Sequence, residues 1–323
     1  MNSSSGVRLR TAVVGAGYLG RFHAQKYADL PNSELVAIAD VSAGSRERLA
    51  RELGIRAIAD YRELLGRVDA VSIATPTPLH FEIASAFLEK GAHVLVEKPI
   101  TVTVDEARRL IDLAARHERI LQVGHLERFN PGILALDRVL KVPRFIESHR
   151  LAPFKQRGTD VNVVLDLMIH DIDIIQNIVG APIASLDAVG ASVFSGGLDI
   201  ANARIRFTDG CVANTTASRV SLKTERKLRI FQDDAYMSVD LQQKILTVVR
   251  KSDQPPVADL PQVSIEEQSF EQGDALRTQI ESFLGCVASG RRPIVSGEDG
   301  LRALETAIRI SEQVAGQPFT PPA

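Results

Sequence analysis

An α/β protein in two parts is predicted: a doubly wound parallel sheet, then an α+β domain with an open, mostly antiparallel sheet. Three observations predict it. Across residues 1–125, short β-branched runs alternate with helical stretches, the pattern of a parallel sheet covered by helices. From about residue 185 to 249, strand-like runs follow one another without long helices between them. The chain of 323 residues is also too long for one comfortable core.

In order, strands are expected at 10–14, 35–39, 70–74, 93–96 and 120–123. Helices are expected at 19–30, stopped by Pro31, at 45–53, ended by Gly54, and at 81–90 and 104–116. A helix at 130–140 and a strand at 144–150 follow, then a long amphipathic helix at 163–179. Strand runs then read at 188–193, 201–207, 212–218, 227–231, 235–239 and 245–249. The tight turn Thr208-Asp209-Gly210 implies antiparallel pairing. Residues 253–262, with Pro255, Pro256 and Pro261, read as an exposed loop, and helices at 276–287 and 301–313 close the chain. The domain boundary is expected at 125/126, giving 1–125 and 126–323, with the C-terminal helix free to pack back on the first domain. An open sheet leaves one face to be covered. A homodimer or homotetramer built through it is the economical expectation.

Composition narrows the function. Lys+Arg 38 against Asp+Glu 40 gives a net charge of −2, so no global field favours nucleic acid or an anionic membrane. No apolar run approaches the roughly 18–20 residues that span a bilayer. Met1-Asn2-Ser3-Ser4-Ser5-Gly6 lacks the apolar segment of a signal peptide. Cys211 and Cys286 make no disulfide framework and read as buried thiols of a cytoplasmic protein. No His-Glu-x-x-His or similar spacing suggests a metal.

The chemistry-bearing motif is Gly15-Ala16-Gly17-Tyr18-Leu19-Gly20, a Gly-x-Gly-x-x-Gly loop after a strand and before a helix. Gly15 permits the turn, Gly17 lets backbone approach a diphosphate, and Gly20 lets the helix pack on the sheet. The helix start then offers free N–H groups to phosphate. Asp40, at the end of the second strand, suits two ribose hydroxyls and repels a 2′-phosphate, so a Rossmann domain binding NAD is expected. Arg46 lies within reach of a phosphate and weakens that preference. In the second domain, Asp166 and His170 are four apart and neighbours on an α-helical face, with Asp173 on the same face. A histidine held by a carboxylate in apolar surroundings suits a general base, or equally a satisfied core histidine.

Ala74-Thr75-Pro76-Thr77-Pro78-Leu79-His80 and Glu97-Lys98-Pro99, each following a predicted strand, together with the Gly-rich loop resemble the Gfo/Idh/MocA family over essentially the whole chain. The resemblance includes the terminal stretch with Ser296-Gly297-Glu298-Asp299-Gly300. It implies that Thr75, Pro76, His80, Glu97 and Lys98 border the cofactor and that Lys98 stands beside the reacting carbinol. It also implies that Asp166 and His170 are the family's Asp-x-x-x-His pair. His170 would then take the proton of a sugar hydroxyl, Lys98 would hydrogen-bond the same oxygen, and Asp166 would orient His170. Two departures stand out. Thr77 replaces a frequent Asn, and Gly158-Thr159-Asp160-Val161-Asn162-Val163-Val164 holds one glycine where relatives hold several.

Basic residues cluster around the second half: His149, Arg150, Lys155 and Arg157, then Arg219, Lys223, Arg226, Lys227 and Arg229. Arg150, Lys155, Arg157 and Arg219, with Asp173, are the expected substrate contacts. Such cations suit the diphosphate of a nucleotide sugar. Gly124-His125-Leu126-Glu127-Arg128-Phe129-Asn130-Pro131 and Ser218-Arg219-Val220-Ser221-Leu222-Lys223 resemble a subgroup of the family tied to lipid A sugar biosynthesis. That resemblance implies oxidation of the 3-hydroxyl of UDP-N-acetylglucosamine. The alternatives are a free polyol or monosaccharide dehydrogenase, a glycosidase that uses bound NAD transiently, and an NAD-binding sensor without catalysis.

Overall fold

The structure, a computed structural model, describes residues 8–155, 161–252, 262–270 and 273–316. The chain divides into two compact units. One runs to Phe129 and includes Asp274–Leu301. The other is Asn130–Gly273 with the chain from Arg302 onward.

The first unit is built on β1 (Leu9–Val14), α1 (Tyr18–Asp29), β2 (Ser33–Ala39), α2 (Ala43–Leu53), β3 (Arg56–Ile58), β4 (Ala70–Ile73), α3 (His80–Glu89), β5 (His93–Glu97), α4 (Val104–Arg116) and β6 (Leu121–Gly124). Its six strands lie in the order β3-β2-β1-β4-β5-β6, and every neighbouring pair is parallel. This is the order of two mononucleotide-binding halves meeting between β1 and β4. Local chemistry sets the helix ends. Gly54 takes a left-handed conformation after α2, which spares a side chain strain there. Thr103 and Glu106 cap the start of α4 reciprocally. β3, with three residues, is too short to carry a periodic signal, and the sequence reading does not foresee it.

In the second unit, α5 (Pro131–Leu136) begins at an Asn130 cap, and β7 (Pro143–Leu151) follows. A π-helical stretch, Val164–Met168, leads into α6 (Ile169–Val179). Then come β8 (Ile183–Ala191), β9 (Ile200–Phe207), β10 (Val212–Ser218), β11 (Glu225–Gln232), β12 (Ala235–Asp240), β13 (Ile245–Lys251) and β14 (Val263–Ser269). The eight strands run β14-β13-β12-β11-β7-β10-β9-β8. All neighbours are antiparallel except β7 and β10. Ile133 and Leu136 of α5 and Ile174 and Ile175 of α6 bury one face of this sheet with Ile146, Ile205, Leu228, Ile230 and Met237. β14 is mostly polar, which hid it from a reading based on β-branched runs. Residues 253–261 of the expected Pro-rich loop lie outside the described residues.

The chain ends with α7 (Ala275–Ser289) and α8 (Gly297–Ala315). Residues 274–301, expected with the second domain, group with the first. The cause is apolar: Ile280, Phe283 and Leu284 of α7 enter the core that holds Ala24 and Tyr27 of α1. From Arg302 onward α8 belongs to the second unit, where Ala303, Ala307 and Ile310 pack with Ile169 and Ile172.

Candidate active site

β1 delivers the chain into the Gly-rich loop at the carboxyl end of the sheet, where open α/β sheets bind ligands. Gly15 sits at φ +103°, and a Cβ there would lie 2.5 Å from the Ala74 carbonyl oxygen. A Cβ at Gly20 would lie 1.8 Å from the oxygen of Gly15, while one at Gly17 would meet nothing within 4 Å. Two glycines thus close the turn and the third leaves open space. No side chain caps the N-terminus of α1, and a helix start of this kind suits an anion.

Beside the loop lies a cavity of about 480 Å³ lined by Gly15, Gly17, Asp40, Thr75 and Pro76 among others. Asp60, Tyr61 and Arg62 also border it, which the sequence reading did not foresee. Asp40 accepts hydrogen bonds from the Ala16 N–H (2.6 Å) and the Ser42 N–H (2.7 Å), so it fastens the loop it faces. Arg46 donates to the carbonyls of Asp40 and Val41, which removes it as a ready phosphate ligand and strengthens the preference for NAD. The Thr75 hydroxyl is buried with no protein partner and borders the cavity, as expected of a group reserved for a ligand. A dinucleotide fits this donor set. Tyr18 and Leu19 are exposed, with Tyr18 edge-on to Phe22.

β5 ends at Glu97, and half-buried Lys98 follows. The Glu97 carboxylate is buried and accepts from His23 Nε2 at 3.0 Å. It lies against Gly124, where a Cβ would come within 2.7 Å of Oε1, so only glycine leaves room for it. His23 Nδ1 lies 3.1 Å from Ser72 Oγ, which lies 2.8 Å from the Tyr27 hydroxyl. On the other flank, His80 Nδ1 lies 2.9 Å from the Pro99 oxygen and Nε2 lies 2.9 Å from the Thr75 oxygen. Burial pushes the His80 imidazole down from its usual value, against the two carbonyls that favour its charged form. His80 was expected to border the cofactor. Its ring is instead buried and occupied in joining two loops, because both nitrogens point at backbone oxygens. Burial, then the charges of Lys98 and Arg128, pushes His125 down to about 3. His23, Ser72, Gly124 and His125 were not read as site residues. The available signal was the position of His23, one helical turn after Gly20 on the same face.

In the second unit, Asp166 lies in the π-helical stretch and His170 in the first turn of α6; both are half-buried. The sequence reading assumed a continuous α-helix. A π-turn bonds i to i+5 and still leaves positions four apart near one face; such turns recur at functional sites. Asp173 is buried.

Two expected substrate contacts are spent elsewhere. Arg150 is 3% exposed and grips Asp171 through two bonds of 2.8 and 3.0 Å. Arg219 is buried against Asp199 at 3.2 Å and donates to the Leu198 carbonyl. Burial pushes the Asp199 carboxyl up, but the Ser195 hydroxyl and the N–H groups of Val193, Phe194 and Ser195 outweigh it and hold it well below the usual range. The reason is general: a guanidinium out of water must be paired. Lys223 pairs with Glu225 and Arg229 with Glu147, which neutralises part of the basic cluster. Lys155 is exposed, and Arg157 lies outside the described residues. Among the described residues no group of three or more His, Cys, Asp or Glu could hold a metal ion, and no helix is long and apolar enough to cross a membrane.

Residues 9–125 match the profile described as "Oxidoreductase family, NAD-binding Rossmann fold", and residues 143–238 match the GFO/IDH/MocA C-terminal domain. The UDP-N-acetylglucosamine 3-dehydrogenase of Acidithiobacillus ferrooxidans is 39% identical over 305 residues, 94% of this chain and 96% of that protein. A solved structure of that enzyme superposes with a TM-score of 0.91, covering 95% of this chain and 98% of the other. The scyllo-inositol 2-dehydrogenase (NAD(+)) of Bacillus subtilis is 28% identical over 93% of this chain and 92% of its own. A levoglucosan dehydrogenase in complex with NADH, 20% identical, shares the fold with a TM-score of 0.84 over 95% of this chain and 97% of its own.

Proposed function

This chain belongs to the Gfo/Idh/MocA family of NAD-binding oxidoreductases, and we propose that it oxidises the 3-hydroxyl of UDP-N-acetylglucosamine to a ketone. The observation that carries the substrate is the 39% identity, over nearly the full length of both chains, to an enzyme named for that reaction. A free polyol dehydrogenase is the weaker reading, because the inositol enzyme is only 28% identical. Arg150 and Arg219 no longer support a diphosphate site, since both are consumed by buried carboxylates. Lys155 and Arg157 remain the proposed cations for it.

Bound NAD supplies a hydride acceptor at its nicotinamide C4. The chain's residues do the rest. The N–H groups that open α1 hold the diphosphate, and Asp40 accepts from the ribose hydroxyls. Lys98 donates a hydrogen bond to the substrate oxygen as negative charge builds on it. His170 takes the hydroxyl proton, and Asp166 supports the cationic ring that results. Asp173 is assigned to the substrate side of the same helix. With this substrate, the setting we assign is lipid A sugar synthesis in the cytoplasm.

We also assign a homo-oligomer to the sheet of the second unit. On the face away from α5 and α6, ladder partners align Val212, Phe145, Phe231, Tyr236, Val249 and Ile265 into one apolar row across six strands. The Phe145–Phe231 and Phe231–Tyr236 rings stand 5.7 and 4.9 Å apart, and Ile265 is 58% exposed. Light scattering of the native protein and of Phe231→Lys tests this; a monomeric native protein removes it.

An absorbance assay for NADH with UDP-sugars, inositol and free hexoses tests the reaction. NADH formed with UDP-N-acetylglucosamine supports the reading. Turnover with inositol or a hexose and none with any UDP-sugar overturns it. Product formed without net NADH would indicate the glycosidase.

A further inference from the structure

Two buried histidines, from two helices, hold the residues on either side of Lys98. His23 on α1 binds the Glu97 carboxylate, and His80 at the start of α3 binds the Pro99 carbonyl. We propose that His23 and His80 are positioning residues for Lys98, which fix the strand end that presents its ammonium. The proposal rests on the reading of Lys98 as the cation beside the reacting oxygen.

Three observations carry it. First, both nitrogens of each ring lie within hydrogen-bond distance of a protein partner, and in neutral His80 the one N–H donates to one of the two carbonyls while the other nitrogen lies against the second. The second partner of His80 is the Thr75 oxygen, in the wall of the dinucleotide cavity, and His23 lies one turn into the helix that opens on that cavity. Cavity wall and Lys98 segment are therefore tied into one hydrogen-bonded unit. Second, each ring is 1% exposed, so neither can touch substrate. Third, the chain Glu97–His23–Ser72–Tyr27 ends at a hydroxyl that is 0% exposed. It has no outlet to water and cannot conduct a proton away, which leaves orientation as its task. Glu97 and Pro99 are both pinned, so the backbone that carries Lys98 is held from either side. A catalytic group must be held to within about 0.5 Å, and a misplacement of about 1 Å costs on the order of 10²-fold in rate.

The test compares the full-length native protein with His23→Gln, His80→Gln and Tyr27→Phe. Amide exchange of peptides covering residues 94–101 is read without ligand, alongside NADH formation and NAD affinity by calorimetry. Both histidine variants should exchange faster in 94–101 than the native chain, and kcat should fall by about 10²-fold while NAD affinity changes little. Tyr27→Phe, at the far end, should change kcat least. Ile280→Val, in the core contributed by α7, serves as the stability control, with a lower melting temperature and unchanged kcat. Unaltered exchange and kcat in both histidine variants overturn the proposal, as does a kcat loss matched by an equal loss of NAD affinity. If His23→Gln does not fold, Ser72→Ala replaces it, and if His80→Gln does not fold, His80→Asn replaces it, with the same outcomes and a smaller effect. A native protein that oxidises no sugar would defeat the functional reading alone; the exchange rates then decide whether the histidines fix the Lys98 segment.

Discussion

The two units place buried charge to opposite ends. In the first, the buried carboxylate of Glu97 and the rings of His23 and His80 converge on the residues flanking Lys98, which itself stays half-buried. In the second, Arg150–Asp171 and Arg219–Asp199 are buried ion pairs. The difference teaches what a charged residue near a site is worth. Removing a guanidinium from water costs several kcal/mol unless it is paired, so a buried arginine belongs to its carboxylate before it belongs to a ligand. Lys98, half-buried at a strand end between two pinned neighbours, is presented in another way: its position is set by what holds Glu97 and Pro99.

The largest effect that would break this contrast is at Lys98. Lys98→Ala should lower kcat by about 10²–10⁴-fold with little change in NAD affinity, read by NADH absorbance and calorimetry. Unchanged turnover would remove the distinction between the units. Next, Arg150→Ala should destabilise the protein by about 3–5 kcal/mol, because Asp171 is left buried without its partner. Urea unfolding measures it, and KM for a UDP-sugar should change little in the folded enzyme. A large KM increase without loss of stability would return Arg150 to the substrate. A smaller change is expected at the cofactor. Asp40→Ser should weaken NAD by about tenfold through loss of a charged acceptor and narrow the preference over NADP, measured by comparing kcat/KM for the two.

A further effect, on pH dependence, belongs to the first unit. Burial, then Arg119, pushes His93 down to about 4, and burial, then Lys98 and Arg128, pushes His125 down to about 3. In the unfolded chain both titrate near 6.5. Protonation therefore favours the unfolded chain, and the stability that the neutral rings allow is complete above about pH 6.5. It is lost as pH falls from there toward 4 and 3. The melting temperature should decline between pH 7 and 5, and His93→Gln should flatten that slope. A slope unchanged by His93→Gln would exclude this ring as a source.

Much of the first unit was legible in the residues. The Gly-rich loop, Asp40 and Glu97-Lys98-Pro99 are local signals, because each job is done by adjacent backbone or by a strand end. The long-range partners were not legible. His23 meets Glu97 74 positions away, and the pair forms because the neighbouring strands β4 and β5 carry Ser72 and Glu97 to the same ring. In the second unit, charge clustering overstated the free cations, since Asp171 and Asp199 cannot be assigned as partners of Arg150 and Arg219 without the register that joins them. The π-helical stretch that carries Asp166 left no mark in residue type, so the segment from Asp166 to His170 read as a continuous α-helix.

By itself, then, the sequence determined the alternation of elements, the dinucleotide loop and the family's Glu-Lys-Pro signature, all of which depend on neighbours within a turn or a strand. Tertiary structure alone decided which charged side chains are spent on the fold. It also decided that 274–301 returns to the first unit, where the apolar face of α7 finds the core around Tyr27. The physical reason is common to these cases. Burial and pairing are properties of surfaces brought together from distant parts of the chain, and no local pattern of residues records which surface will meet which.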